Sequence, residues 1–323
     1  MIQYFLSRIV HTIIVLIVLS FAVYGSMALM PGDPIELLIT SNPRVKPEDI
    51  ERLKKIKGLD QPIPIRYVKW LKEVVVDRDL GYSRTYKGTR TWDLVKDRIP
   101  NSLKLMLAAF VISLVVAIPI GVYSATRQYS LFDYATNFGA FVGISIPSFW
   151  LGLMFILIFA EKLQLFPASG MESDDPMRHG LVDSLRYMVL PVISLSVQEI
   201  GSWVRYMRSS MLEEVNKDYI RTAQSKGLEQ DTVLFKHALK NALIPVITVI
   251  AISLPALVSG ALITETVFTW DGMGKLLYDS IMNSDYYVAM FSFMFLAILT
   301  LFSNFFADIL YAIVDPRIRY AGK

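Results

Sequence analysis

Hydrophobic residues in this sequence gather into long blocks, and charged residues gather into the stretches between them. Six blocks reach about 20 residues with few charges, which is the length that an α-helix needs to cross a bilayer. The blocks cover residues 9–30, 103–123, 136–160, 187–206, 242–264 and 288–311. The pattern therefore predicts an all-α membrane protein with six transmembrane helices.

The first block could also be a secretory signal, because Arg8 precedes it and small residues lie near its end. The apolar region of a signal is about 7–15 residues long. This block is about 22 residues long. We therefore expect it to remain in the protein as a helix.

Lys and Arg in the short connectors predict the direction of the helices. If the N-terminus is cytoplasmic, the connectors on that side carry twelve Lys and Arg, and the short connectors on the other side carry four. The long segment 31–101 is left out because segments of this length cross regardless of charge. Both termini are predicted to be cytoplasmic.

Segment 31–101 is predicted to form a small extracytoplasmic cap. One helix would begin at Pro47 and end before Gly58, and a second would run from about Ile65 to Val76. The spacing of Val68, Leu71 and Val75 would place them on one face of the second helix. The cap could shield helix ends or offer a docking surface to an extracytoplasmic partner.

Prolines interrupt blocks two to five, and each removes a helical hydrogen bond. They are Pro119, Pro147, Pro191, Pro245 and Pro255. In a bilayer the freed carbonyls need neighbouring groups or a water-lined cavity, so both a kinked bundle and a transport pathway fit. Gly139 and Gly143 permit close helix approach, either within the chain or between subunits.

Polar or amphipathic residues beside these breakers are candidates to line a pathway. They are Ser145, Ser148, Trp150 and Glu199. Two of them have a second interpretation, because Trp150 could anchor at the membrane interface and Glu199 could pair with Arg205 or Arg208.

Composition removes several classes of enzyme. The chain has 54% hydrophobic residues, 19% charged residues, a mean hydropathy of +0.44 and no Cys. Its three His are spread over separate predicted regions, and no G-x-x-x-x-G-K-[ST] phosphate-binding loop is present. We therefore expect no catalytic residue, metal site or bound cofactor on this chain, and no nucleic-acid partner.

The stretch from Asn216 to Pro245 predicts two helices joined at a glycine. Asp218 suits the first turn of a helix, and Lys226-Gly227 is typical of a helix end. Such an elbow would lie along the inner membrane surface, although an ordinary amphipathic connector also fits.

This stretch resembles the cytoplasmic loop signature of ABC-importer permeases, E-A-A-x3-G-x9-I-x-L-P. The positions that match are Thr222, Ala223, Gly227 and Leu239, and those that differ are Arg221, His237 and Lys240. The variant D-Y-I-R-T-A-x-x-K-G followed by H-A-L-x-N-A-L-I-P is the form of the peptide branch of these importers.

Further segments extend the resemblance over nearly the whole chain. They are 29–34 (LMPGDP), 79–83 (DLGYS), 99–102 (IPNS), 143–152 (GISIPSFWLG), 265–274 (ETVFTWDGMG) and 315–319 (DPRIR). In this order and spacing they resemble the first, B-type permease subunit of oligopeptide and dipeptide ABC importers.

The resemblance implies a type I ABC importer transmembrane fold. It implies a first helix and cap over 1–97, a type-1 transmembrane domain over 98–312 with a coupling helix at about 216–228, and a cytoplasmic tail over 313–323. The ATPase-facing positions would be Arg221, Thr222, Ala223, Gln224, Gly227 and Leu228. The implied location is the bacterial or archaeal cytoplasmic membrane.

The implied partners are a second related permease subunit, one or two ATPase subunits that carry ATP and Mg²⁺, and an extracytoplasmic peptide-binding lipoprotein. Peptide is the default substrate, since relatives also handle glutathione or nickel chelates. The alternatives are an ion-gradient-driven secondary transporter, for which we find no internal repeat, and an intramembrane hydrolase, for which no nucleophile and base converge.

Overall fold

The computed structural model describes residues 2–29, 52, 55, 58, 60–86, 88–173, 180–259 and 261–314. Every named secondary-structure element in these residues is a helix. The helices are α1 (Ile2–Ala28), α2 (Ile63–Lys72), α3 (Thr91–Thr126), α4 (Leu131–Ser145), α5 (Ser148–Phe155), α6 (Leu181–Val215), α7 (Asp218–Ser225), α8 (Gln230–Thr232), α9 (Lys240–Ser259), α10 (Leu262–Val267), α11 (Met273–Met282) and α12 (Tyr286–Val314). Three π-helical segments extend them: Glu73–Asp77 after α2, Ile156–Lys162 after α5 and Val233–Leu239 between α8 and α9.

Five of the described helices are long and apolar enough to cross a membrane. They are Val10–Ala28, Thr91–Thr126, Leu181–Val215, Gln230–Ser253 and Tyr286–Phe305. A sixth span is present if the bent pair Leu131–Ser145 and Ser148–Lys162 is counted as one. Each hydrophobic block of the sequence thus coincides with one of these helices or with the bent pair.

The third block differs from the expected single helix, because it turns through 98° between α4 and α5. The turn lies at Ile146 and Pro147, which both have extended backbone angles. Steric contact with a proline ring disfavours the helical conformation of the residue before it. The helix therefore ends at Ser145, and a new helix begins at Ser148.

The described part of the chain divides into two compact units, and the first comprises Met1–Pro100 with Gly272–Leu301. In this unit α2 lies against α1 through Tyr67, whose hydroxyl is 2.7 Å from Ser20 Oγ. The Tyr67 ring also meets Phe21 edge to face at 5.2 Å between ring centroids. A helix is therefore present where the spacing predicted the second helix of segment 31–101, and Val68 and Val75 lie on its exposed side.

In the same unit, the segment 79–83 (D-L-G-Y-S) is held by contacts with residues at the start of α12. Gly81 has a φ of 75°, and a Cβ there would lie 2.4 Å from the ring of Tyr287. Ser83 Oγ donates a hydrogen bond of 2.5 Å to the buried carboxylate of Asp285. The segment is thus fastened to the loop before α12. The cap helix predicted to begin at Pro47 lies largely outside the described residues.

The second unit comprises Asn101–Asp271 with Phe302–Lys323. At its centre is α6, against which α4, α5 and α9 pack. Two glycines bring α4 and α6 close together, since a Cβ at Gly201 would lie 2.7 Å from the carbonyl oxygen of Ala140 and one at Gly143 would lie 3.1 Å from that of Val197. Both candidate functional regions belong to this unit.

Candidate functional site

The segment from Asn216 to Pro245 folds as the predicted elbow. Its first helix, α7, begins at Asp218 and ends at Ser225. Gly227 follows in the left-handed conformation, with a φ of 75°. The amide of Gly227 donates to the carbonyl oxygen of Gln224 at 2.9 Å, and the amide of Lys226 donates to that of Thr222. Glycine adopts this conformation without the penalty that a side chain incurs, so the chain turns here and enters α8.

One face of α7 is anchored in an apolar cluster. Ile220 is 1% exposed and Ala223 is 7% exposed. They pack among side chains from α3, α6, the π-helical segment before α9 and α9 itself, which are Val122, Ala125, Met207, Met211, Val233, Ala238, Ala242 and Val246. Burial of this kind stabilises by about 25 cal/mol per Å² of apolar surface. The elbow is thus part of the helix bundle and not a loose connector.

The opposite face of α7 is exposed and polar. Asp218 and Arg221 have side chains 97% and 72% exposed, and their closest charged atoms are 3.6 Å apart. An exposed pair of this kind contributes little to stability, so another protein could displace it at small cost. Thr222, Gln224 and Ser225 are exposed beside them.

A polar edge joins α7 to its neighbours between these two faces. Glu214, at the end of α6, accepts hydrogen bonds from Lys217 and from the hydroxyl of Tyr219. The amide of Asn241, in α9, donates to the same hydroxyl. Three helices are therefore connected by side-chain hydrogen bonds at this edge.

The bend between α4 and α5 is the second candidate region. The carbonyl oxygen of Ile146 accepts from Gln198 Nε2 at 2.7 Å, and that of Ser148 accepts from Ser194 Oγ at 2.9 Å. Gln198 thus satisfies a carbonyl that lies outside both helices at the bend, as a bilayer requires, and Ser194 joins the first residue of α5 to α6. These contacts account for two of the polar residues that make block 187–206 the least hydrophobic of the six.

Two sequence families match the chain. The family described as "Binding-protein-dependent transport system inner membrane component" matches residues 117–320, and its N-terminal companion matches residues 1–106. The chain belongs to this family. As a permease of that class it spans an inner membrane several times and works as a component of a transport system.

Curated relatives match this permease from end to end. The oligopeptide transport system permease protein AppB of Bacillus subtilis is 40% identical over 99% of this chain and 100% of its own length. The dipeptide transport system permease protein DppB of Escherichia coli K12 is 33% identical over 99% of each chain. These names confirm the resemblance to the oligopeptide and dipeptide permeases.

Among solved structures, the inward-facing MetNI methionine ABC transporter has a similar fold. One of its chains superposes with a TM-score of 0.53 and 18% identity, covering 69% of this permease and 96% of that chain. At this identity the likeness concerns the fold alone. The matched part of this permease thus shares its fold with one chain of an ABC transporter.

The predicted coupling residues do not all lie on the same face of the permease. The exposed ones are Arg221, Thr222, Gln224, Gly227 and Leu228. Ala223 instead belongs to the buried cluster, because a residue two positions after Arg221 points to another side of the helix. Ala223 therefore anchors the elbow, while the other five are available to a partner.

The predicted pathway residues lie around the bend. Ser145 bonds to the carbonyl oxygen of Phe141 within its own helix, and Trp150 is 47% exposed. Ser148 is half-buried, and its carbonyl takes the bond from Ser194. Glu199 is exposed and accepts from Trp203 Nε1 at 3.0 Å, so the partner that the structure gives it is an indole.

Sequence reasoning missed the residues that hold these regions in place. Gln198 and Ser194 were visible as polar residues in a weak span, but their carbonyl partners lie about 50 residues away. Glu214, Tyr219 and Asn241 carried no separate signal, since a carboxylate, a phenol and an amide beside a membrane helix are common surface residues.

Proposed function

We propose that this permease forms half of the transmembrane pathway of an ATP-driven peptide importer and is coupled to a separate ATPase through the elbow at 216–228. The observation that carries the proposal is the two-sided construction of α7. Its inner face is fixed in the bundle by Ile220 and Ala223, and its outer face presents exposed polar residues. A helix built in this way can transmit a displacement from a partner protein to the membrane-spanning helices.

The substrate class follows from the relatives. Their names give oligopeptides and dipeptides as cargo, and their similarity extends over the full length of the permease. The proposed partners are a second related permease that completes the pathway, one or two ATPase subunits, and an extracytoplasmic peptide-binding lipoprotein.

The proposed orientation places both termini and the elbow in the cytoplasm of a bacterial or archaeal cell. It is supported by the excess of Lys and Arg in the connectors on that side. An ATPase that hydrolyses cytoplasmic ATP would then have access to the exposed face of α7. The cap between α1 and α3 would face the side from which peptide arrives.

Replacing Gly227 by Val tests the elbow. A left-handed conformation costs a side-chain-bearing residue about 1–2 kcal/mol, and Gly227 has this conformation with no atom within 4 Å of a Cβ. We expect ATP-dependent peptide uptake in vesicles containing the assembled transporter to fall roughly 5- to 30-fold. Membrane insertion should be unchanged.

Gly88→Val is the matched control. Gly88 has a φ of 78° and also has no described atom within 4 Å of a Cβ, so the substitution imposes the same backbone strain away from the elbow. Normal peptide uptake by Gly88→Val together with reduced uptake by Gly227→Val supports the proposal. Normal uptake by Gly227→Val would show that the elbow is only a connector.

The source of energy separates the proposal from its main alternative. The permease should import peptide only together with its partners and with ATP and Mg²⁺ present. Uptake by the purified chain alone, driven by a proton gradient, would instead identify a secondary transporter.

A further inference from the structure

A buried carboxylate lies where α6 ends and the elbow begins. Glu214 is 8% exposed. Its oxygens accept from Lys217 Nζ and from Tyr219 Oη, both at 2.5 Å. Because a buried charge is costly unless it is paired and hydrogen-bonded, these partners are held firmly to it.

Tyr219 uses both hydrogen-bonding capacities of its hydroxyl. It donates to Glu214, and it accepts from Asn241 Nδ2 at 3.0 Å. Partial burial and the neighbouring Glu214 raise the pKa of Tyr219 above its usual value, so the hydroxyl keeps the proton that it donates. Asn241 is in turn oriented by a second bond from Nδ2 to the carbonyl oxygen of His237 at 3.1 Å.

These groups differ in kind from the apolar anchor of α7. The packing of Ile220 and Ala223 resists removal of the helix from the bundle, but apolar contact is not directional. Hydrogen bonds are directional and weaken steeply when their angles change. The Glu214–Tyr219–Asn241 chain therefore fixes how α7 is rotated, and where it lies along the bundle, relative to α6 and α9.

We propose that Tyr219 is the positioning residue that makes the elbow and the helices α6 and α9 move as one body, so that ATP hydrolysis by a partner is converted into helix movement. This inference rests on the proposed function. Without the hydroxyl, α7 remains packed in its cluster but moves relative to α6 and α9 when the partner ATPase displaces it. ATP is then hydrolysed with less transport.

The test uses Tyr219→Phe in the complete transporter, reconstituted in vesicles with its ATPase, second permease and binding protein. The substitution removes one hydrogen bond to a charged group and one from an amide. We expect the ratio of ATP hydrolysed to radiolabelled peptide imported to rise roughly fivefold or more. Assembly with the ATPase, measured by co-purification, should be retained.

Two further variants show whether the hydroxyl acts through its partners. Glu214→Gln keeps an acceptor oxygen for Tyr219 and should raise the ratio less than Tyr219→Phe does. Asn241→Ala combined with Tyr219→Phe should raise it no further than Tyr219→Phe alone, because both remove the same connection. Tyr134→Phe is the control, since Tyr134 is 61% exposed on α4, and it should leave the ratio unchanged.

Three results would overturn the inference. One is an unchanged ratio in Tyr219→Phe. Another is a complex that no longer assembles, which would make the hydroxyl a folding determinant. A third is full additivity of the Tyr219 and Asn241 variants. Failure of the proposed function would look different, because the unmodified transporter would then show no ATP-dependent uptake.

Discussion

At the scale of single residues, the buried ion pair between Asp133 and Arg208 is bonded on every side by described neighbours. Asp133 is 2% exposed, and Arg208 binds both of its oxygens, at 2.6 and 2.7 Å. Ser124, the amide of Tyr129 and the side chain of Asn137 donate to the same carboxylate. The pair joins the first turn of α4 to the last third of α6, so it holds the end of the bundle that adjoins the elbow.

Removing Arg208 should therefore destabilise the permease. In Arg208→Met the buried carboxylate loses its countercharge, which costs about 3 kcal/mol or more. We expect a lower midpoint of unfolding in a detergent titration of the purified permease, followed by circular dichroism.

Lys96→Met provides the comparison, because Lys96 pairs with Asp93 at 2.7 Å in an exposed position. An exposed pair contributes about 1 kcal/mol or less, so this midpoint should move little. Equal shifts in the two variants would contradict the structural role of the Asp133–Arg208 pair.

At the scale of helices, the contact of α4 with α6 depends on where glycines face the neighbouring backbone. Both Gly201 and Gly143 do so: a Cβ at Gly201 would clash at 2.7 Å, and one at Gly143 would be tight at 3.1 Å. Gly139 has no described atom within 4 Å of its Cβ position. Within the part of the chain that the structure describes, the second glycine of the motif Gly139-x-x-x-Gly143 is thus the one that packs against a neighbour.

Alanine substitutions should separate these positions. Gly201→Ala places a methyl group against the carbonyl oxygen of Ala140, and overpacking of this kind costs about 1–3 kcal/mol. Gly139→Ala meets no clash and gains helix propensity, so it should be neutral or stabilising by up to about 1 kcal/mol.

Thermal unfolding of the purified permease checks both expectations. A destabilised Gly139→Ala would show that this glycine packs against something outside the described residues. Gly139→Leu addresses the subunit-interface alternative, since loss of complex formation by an otherwise stable variant would place Gly139 at a contact with another subunit.

At the scale of the whole molecule, the absence of Cys from the sequence makes its orientation measurable. A single cysteine can be placed at Ser225, in the elbow, or at Ser169, in the connector before α6, and both positions are exposed. A membrane-impermeant maleimide added to intact cells should label Ser169→Cys. It should label Ser225→Cys only after the membrane is opened, and the reverse pattern would refute the proposed direction.

The sequence predicted the helical class, the positions of the spans and the glycine at the elbow, because long apolar blocks and helix-ending residues are local signals. It failed where the answer depends on a distant partner. At the 98° turn the carbonyl of Ile146 is satisfied by Gln198, and Ser194 adds a bond to Ser148 at the start of α5. The buried face of α2 follows Tyr67 and its partner Ser20, not the valine spacing.

Apolar periodicity has limited power in such a chain, because residues facing lipid are as hydrophobic as residues facing the protein interior. A sequence signature has a limit of its own, which Ala223 illustrates. Its position in the signature suggested a partner-facing residue, while the structure places it in the core.

The separation of the two faces of α7 has a consequence for how such transporters diversify. Within this eight-residue helix, the residues packed in the bundle and the exposed residues occupy different positions. Substitutions at Asp218, Arg221, Thr222 or Ser225 can accumulate without repacking the interior. Under the proposed function, such substitutions would change which ATPase the permease binds while its interior stays the same, and chimaeras that exchange only these side chains test this.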